Sequence, residues 1–178
     1  ASRGVNNDRP DLKGMSFSKD LPMGGDLASQ VFVRFSGAIY NRWDYNAETG
    51  QYLRFSDTRN DINNTAPEYA PLTDRNTGEQ IGVENLVILL TDYVPITLTK
   101  DSEVYDIPLS GSGWAYVFRD GQMYTADWVR ARDDGVLQLK FPDGSAFPLK
   151  PGRTWFEVMN RSTQWKGDSG AWRFTFRL

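Results

Sequence analysis

The sequence predicts an all-β or nearly all-β domain: antiparallel hairpins forming a sandwich or partly open barrel, with an irregular N-terminal arm. Three observations carry this. Aromatic residues make up 13% of the chain, with ten Phe, eight Tyr and six Trp, and such residues favour sheet cores. Apolar and polar residues alternate at period two in several short segments. Asp-Gly and Gly-rich turns separate those segments at hairpin spacing.

Residues 1–30 are punctuated by Gly, Pro, Asn and Asp, which suits an arm or interdomain linker. Its apolar points are Leu12, Met15, Phe17, Leu21 and Met23. The β domain is expected over 31–178. Its first strand sets Val31, Val33 and Phe35 against Phe32 and Arg34. A hairpin follows, turning between Asn46 and Gly50, where a positive φ favours glycine. A long polar excursion leads from Ser56 to Ile81; long connections of this kind are usually functional or mobile. The apolar run Leu86–Leu90 predicts a strand buried on both faces. Pro95 and the β-branched residues count against a helix there.

The stretch GSGWAYVFRDGQMYTADW, 111–128, poses the sharpest question. A phosphate loop needs a helix after its glycines, so that backbone N–H groups face the anion. Here alternating residues follow, and no Gly-Lys-Ser/Thr is present. The glycines therefore permit a bend or a close backbone approach at a strand's entry. Asp120-Gly121 predicts a hairpin with a loop of two or three residues. The three-residue form would set Tyr116 opposite Tyr124 and Val117 opposite Met123. Pro142-Asp143-Gly144 repeats the device, bringing Leu139 opposite Phe147. Trp172, Phe174 and Phe176 alternate with Arg173, Thr175 and Arg177 in a last half-buried strand.

Composition narrows the chemistry. There is no His and no Cys, which excludes imidazole bases, thiol nucleophiles, Ser-His-Asp triads and Cys/His zinc sites. Net charge is −3 and Lys and Arg are scattered, so no basic stripe marks a nucleic-acid partner. No apolar stretch is long enough to span a bilayer, and no signal peptide is evident. No cofactor is expected.

The ordered stretches YNAETGQYLR, TDRNTGEQIGVENLVI, GSGWAYVFRDGQMYTADW and FPDGSAFPLKPGRTWFEV resemble the C-terminal domain of YerB-type lipoproteins. That is a bacterial envelope family of undefined biochemical function. The resemblance runs from Phe35 to Val158. It implies an extracytoplasmic domain in the cell envelope, with a membrane tether through a lipid-bearing Cys upstream of this chain. It also implies a partner in the family's N-terminal domain. The matching positions are Tyr52, Arg54, Asp74 with Gly78, Asn85, Gly111, Gly113, Trp128, Gly152, Thr154 and Trp155. The family tends to carry a His two residues before the Asp matching Asp74. Here that position is Leu72, just past an insertion at Asp61–Tyr69. A shared His-based reaction is thereby disfavoured, and the resemblance supplies no catalytic residue.

The ligand-binding candidates are Tyr52, Arg54, Asp74, Asn85, Trp128, Arg153 and Trp155. Arginine near a ring offers bidentate contacts to carboxylate or phosphate. Tyr and Trp, including Trp43, Tyr45, Trp114 and Tyr116, suit an aromatic-lined groove for sugar or peptide; four of the six Trp are expected to be mainly buried. Asp57, Asp61 and Asn63 are weak metal candidates, since the Asp-x-Asp-x-Asp-Gly calcium pattern is absent. The leading expectation is a non-catalytic binding or interaction module whose partner is cell-wall polymer, peptide or envelope protein. One alternative is a carboxylate-dependent wall hydrolase drawing on Asp74, Glu79, Glu84, Asp92, Asp127 and Glu157. The other is a structural domain that completes a site on the N-terminal domain. For Glu157, between Phe156 and Val158, the choice is between a solvated strand residue and a perturbed acid.

Overall fold

A computed structural model describes residues 14–59, 66–99 and 102–178. In chain order its strands are β1 (Ser16–Phe17), β2 (Asp26–Leu27), β3 (Gln30–Arg34), β4 (Tyr40–Asn46), β5 (Gln51–Asp57) and β6 (Tyr69–Pro71). Then come β7 (Gly82–Val83), β8 (Asn85–Thr91), β9 (Val94–Thr99), β10 (Ser102–Asp106), β11 (Gly111–Arg119) and β12 (Gln122–Arg130). The last are β13 (Gln138–Lys140), β14 (Pro148–Leu149), β15 (Thr154–Asn160), β16 (Gln164–Asp168) and β17 (Ala171–Thr175). The described residues contain no helix.

Two open sheets form a sandwich. The first runs β13-β12-β11-β8-β15, with β2 added on β12. The second runs β16-β17-β3-β4-β5-β6, with β7 added on β5. Period-two alternation divides their side chains. Leu86, Ile88, Leu90, Tyr116, Phe118 and Met159 of the first sheet meet Val31, Val33, Trp43, Tyr52 and Phe174 of the second. The opposite face of the first sheet is also dry. Val87, Leu89, Val117, Tyr124, Trp128 and Leu139 lie there, packed with Phe147 and Leu149. Every residue of β8 is therefore buried, because its sheet is covered on both sides.

Not all neighbours are hairpin partners. β15 runs parallel to β8, β17 parallel to β3, and β1 parallel to β14. These pairings join segments far apart in sequence, which local patterning does not encode. The β11–β12 loop has two residues, with Arg119 opposite Gln122, Tyr116 opposite Thr125 and Phe118 opposite Met123. Asp120 (φ 52°) and Gly121 (φ 73°) both take positive φ, the turn whose twist matches its strands. The three-residue register is thus not the one adopted. Leu139 does face Phe147, whose N–H donates to the Leu139 carbonyl.

The described part of the arm lies against the body. Its anchor is Arg119, fully buried. The guanidinium donates to the carbonyls of Ser18, Asp20 and Pro148 and pairs with Asp120 at 2.9 Å. Leu12 lies outside the described residues.

Candidate functional site

Tyr52, Asn85 and Trp128 are buried and bond to backbone rather than face solvent. Trp128 is 1% exposed, and its indole N–H donates to the Leu90 carbonyl at 2.9 Å. A Cβ on Gly113 would lie 2.5 Å from that carbonyl and 2.6 Å from the indole nitrogen. Glycine is thus the residue that lets the indole reach β8. Tyr52 is fully buried and donates to the Ala28 carbonyl at 2.8 Å. Burial pushes its phenol well above the usual range. Neither Tyr52 nor Trp128 reaches a ligand at the surface; both were sequence candidates, and both fill the core because they stand on its side of their strands.

Asn85 clamps the turn before β15. Its amide donates to the Lys150 carbonyl and the Thr154 hydroxyl, and its oxygen accepts from the Lys150 N–H. Beside it, Glu84 accepts from the Arg153 N–H at 2.6 Å and from Gln51 at 2.7 Å. Arg153 serves here through its backbone, and its side chain is exposed. Asp74 is exposed and accepts the N–H groups of Asn76 and Thr77, which closes the turn at Gly78 and holds its carboxyl below the usual range. Asp57 ends β5, while Asp61 and Asn63 lie outside the described residues. Among the described residues no three acids converge in a metal-holding group.

Arg54 and Trp155 do come together, with Trp43 from the aromatic-groove candidates and Glu157 from the candidate carboxylates. Trp43 and Arg54 are register partners on β4 and β5. The guanidinium lies 5.6 Å from the Trp43 ring and 4.5 Å from the Trp155 ring. Glu157, 6% exposed, accepts from the Trp43 indole at 3.3 Å. Glu157 is thus the perturbed acid of the two alternatives. Burial raises its carboxyl above the ordinary range, opposed by Arg54 and by donation from Trp43, Asn41 and Trp155. Burial also lowers Arg54, opposed by Glu157 and Asp57. Arg54 Nε and Asn41 Oδ1 have no hydrogen-bond partner among the described residues. In the cluster Trp43 and Glu157 are buried, while Arg54 and Trp155 are half-buried.

A more exposed ring surface lies on β11 and β16. Trp114 shares its face of β11 with buried Tyr116 and Phe118, yet it is 62% exposed. It stands opposite Asp127 on β12. Trp114 and Asp127 together line two adjoining recesses, of about 420 Å³ and about 380 Å³. Arg161 lines the first and Tyr116 and Thr125 the second. Trp165, 45% exposed, packs 5.1 Å from Tyr116 and stacks 5.7 Å from Trp172. Asp127 is the one carboxylate lining either recess among the described residues. The arrangement offers ring faces with one acceptor and one cation, not a facing pair of acids.

The family model of the C-terminal domain of a protein of unknown function (DUF3048) matches residues 31–156, more than half of the chain. The chain belongs to this family. Its fold is similar to the crystal structure of YerB protein from Bacillus subtilis, with a TM-score of 0.60 and 22% identity. That match covers 82% of this chain and 43% of the YerB chain, so the present chain spans less than half of that protein's length. No curated protein matches the chain.

Proposed function

We propose that this is a non-catalytic binding domain of a bacterial cell-envelope lipoprotein, which takes a cell-wall polymer along the Trp114 surface. One observation carries the reading: an indole 62% exposed between two recesses, on the face of β11 where Tyr116 and Phe118 are buried. Leaving that much ring in water forgoes burial of the kind that supplies about 25 cal/mol per Å². A sugar ring stacked on the indole, with a hydroxyl donating to Asp127, recovers it. The domain's place is extracytoplasmic, with the membrane tether outside this chain.

Purified domain on insoluble peptidoglycan tests this. Saturable binding is expected, and Trp114→Ala should abolish it without moving the thermal unfolding midpoint. Equal binding by the variant, or no binding by the wild type, overturns the reading.

A second reading, that the domain packs on the family's N-terminal domain, is favoured by a separate observation. Phe17, Leu21, Met23 and Leu27 are 44–93% exposed in one stretch of chain. Exposed apolar groups gathered this way mark interaction surfaces.

A further inference from the structure

The outer face of the second sheet carries a single cross-strand row of cations and rings. Register pairing sets Lys166 beside Arg173, Arg173 beside Phe32, Phe32 beside Arg42, and Arg42 beside Phe55. The row thus crosses five strands, about 19 Å at the usual strand spacing. Each arginine lies on a ring: Arg173 is 3.8 Å from the Phe32 centroid and Arg42 is 4.4 Å from that of Phe55. Tyr69 folds over the same face, 5.1 Å from the Arg42 guanidinium and 6.2 Å from the Phe32 ring.

The charges are unbalanced in one direction. Arg42 pairs with Asp44 at 2.9 Å. Lys166 and Arg173 are exposed and have no acid partner among the described residues. Asp57 closes the far end of the face, beside Tyr69. A protein of net charge −3 has therefore gathered free cations at one end of an ordered row. Between β16 and β17 those two residues line an open recess of about 780 Å³ with Gln164 and Thr175.

We propose that this face binds an extended phosphate-bearing polymer, entering at Lys166 and Arg173 and following the row toward Arg42. The length of the row fits a chain rather than a single ion. A guanidinium stacked on a ring is held flat and presents its N–H fork at the rim, the arrangement that suits phosphate recognition. The two free oxygens of a phosphodiester diverge, so one group accepts from Arg173 and from Lys166 on the next strand. The Phe32 and Phe55 rings are covered by Arg173 and Arg42, so they offer neither an insertion wedge for a bilayer nor a stacking platform for nucleobases. That distinguishes a phosphate-linked polymer from a lipid surface or a single-stranded nucleic acid.

Titration of the domain with inorganic polyphosphate of about fifty units, at low and moderate salt, tests the proposal. Binding is expected to weaken with salt in the manner of counterion release. Arg173→Gln and Lys166→Gln should each weaken it about tenfold, the equivalent of one charge-assisted contact. Both side chains are exposed, so Lys166→Gln should unfold at the wild-type temperature and Arg173→Gln, which loses its stack on Phe32, only slightly below it. Trp114→Ala should leave this binding unchanged, which keeps its outcome separate from that of the wall-polymer reading. Unchanged affinity in the folded Arg173 and Lys166 variants overturns the proposal. So does equal binding of orthophosphate per phosphate, or of polygalacturonate, which carries carboxylates instead. Preference for anionic phospholipid vesicles or single-stranded DNA over polyphosphate also overturns it.

Discussion

Gly113 and Trp128 should be energetically coupled, because one hydrogen bond depends on both. The Leu90 carbonyl belongs to β8, which is held by β11 on one side and β15 on the other, so it has little freedom to retreat. A Cβ at position 113 would meet it at 2.5 Å and the indole nitrogen at 2.6 Å. The indole must therefore swing away. Two buried polar groups lose their partner, at about 1–3 kcal/mol, and the overpacked site adds about 1–3 kcal/mol. Gly113→Ala should thus cost about 3–4 kcal/mol. Trp128→Phe keeps a ring in place but removes the donor and leaves a small void, for about 3 kcal/mol in all. The double variant loses the bond once and has room where the indole nitrogen stood. It should cost about 2 kcal/mol less than the sum. Urea unfolding followed by far-ultraviolet circular dichroism measures all three. At an m-value of about 2 kcal/mol/M, Gly113→Ala should lower the midpoint by about 1.5–2 M. A loss under about 0.5 kcal/mol for Gly113→Ala, or costs additive within that margin, would refute this account of the glycine.

Glu157→Gln keeps an acceptor for the Trp43 indole but removes the buried charge. A carboxyl raised in the folded state is penalised once it ionises, so wild-type stability should decline as pH rises from the ordinary glutamate value through the raised one. The variant should lack that decline and be the more stable protein at neutral pH; parallel stability profiles from pH 4 to 8 would count against the buried-charge assignment. Asn85→Ala strands the Lys150 N–H and carbonyl at a half-buried turn. It should cost about 2–4 kcal/mol, with amide exchange accelerating first at Lys150–Thr154.

Local features of the fold were legible where one physical signal dominated. The Leu86–Leu90 run announced a strand covered on both faces, and Gly50 (φ 67°) sits where the turn after Asn46 requires it. Asp120-Gly121 announced a hairpin but not its register, since the same dipeptide suits a two-residue turn and a three-residue loop. The parallel pairs β15–β8 and β17–β3 left no trace in the sequence pattern, because neither is made by adjacent segments. Glu157 did leave one. Trp155 and Met159 stand two residues to either side of it, and period-two geometry puts all three on one face. Arg54 shares its face with Tyr52 in the same way, although Leu53 and Phe55 beside it suggest the opposite. The Lys166–Arg173–Phe32–Arg42–Phe55 row was invisible, since it exists only once four strand registers are fixed.

The division of labour among these residues bears on where specificity lies. Asn85, Gly113, Trp128 and Thr154 hold strand ends and a turn together through bonds internal to the fold. Substituting them should change stability before it changes any ligand. Trp165, Lys166 and Arg173 instead belong to β16 and β17, beyond the residues 31–156 that match the family model. Arg173 reaches the matched region only through its register with Phe32. A related chain can therefore keep the sandwich and its buried bonds while carrying a different last hairpin. Exchanging that hairpin between relatives should carry polymer preference with it and leave the Trp128–Leu90 bond undisturbed.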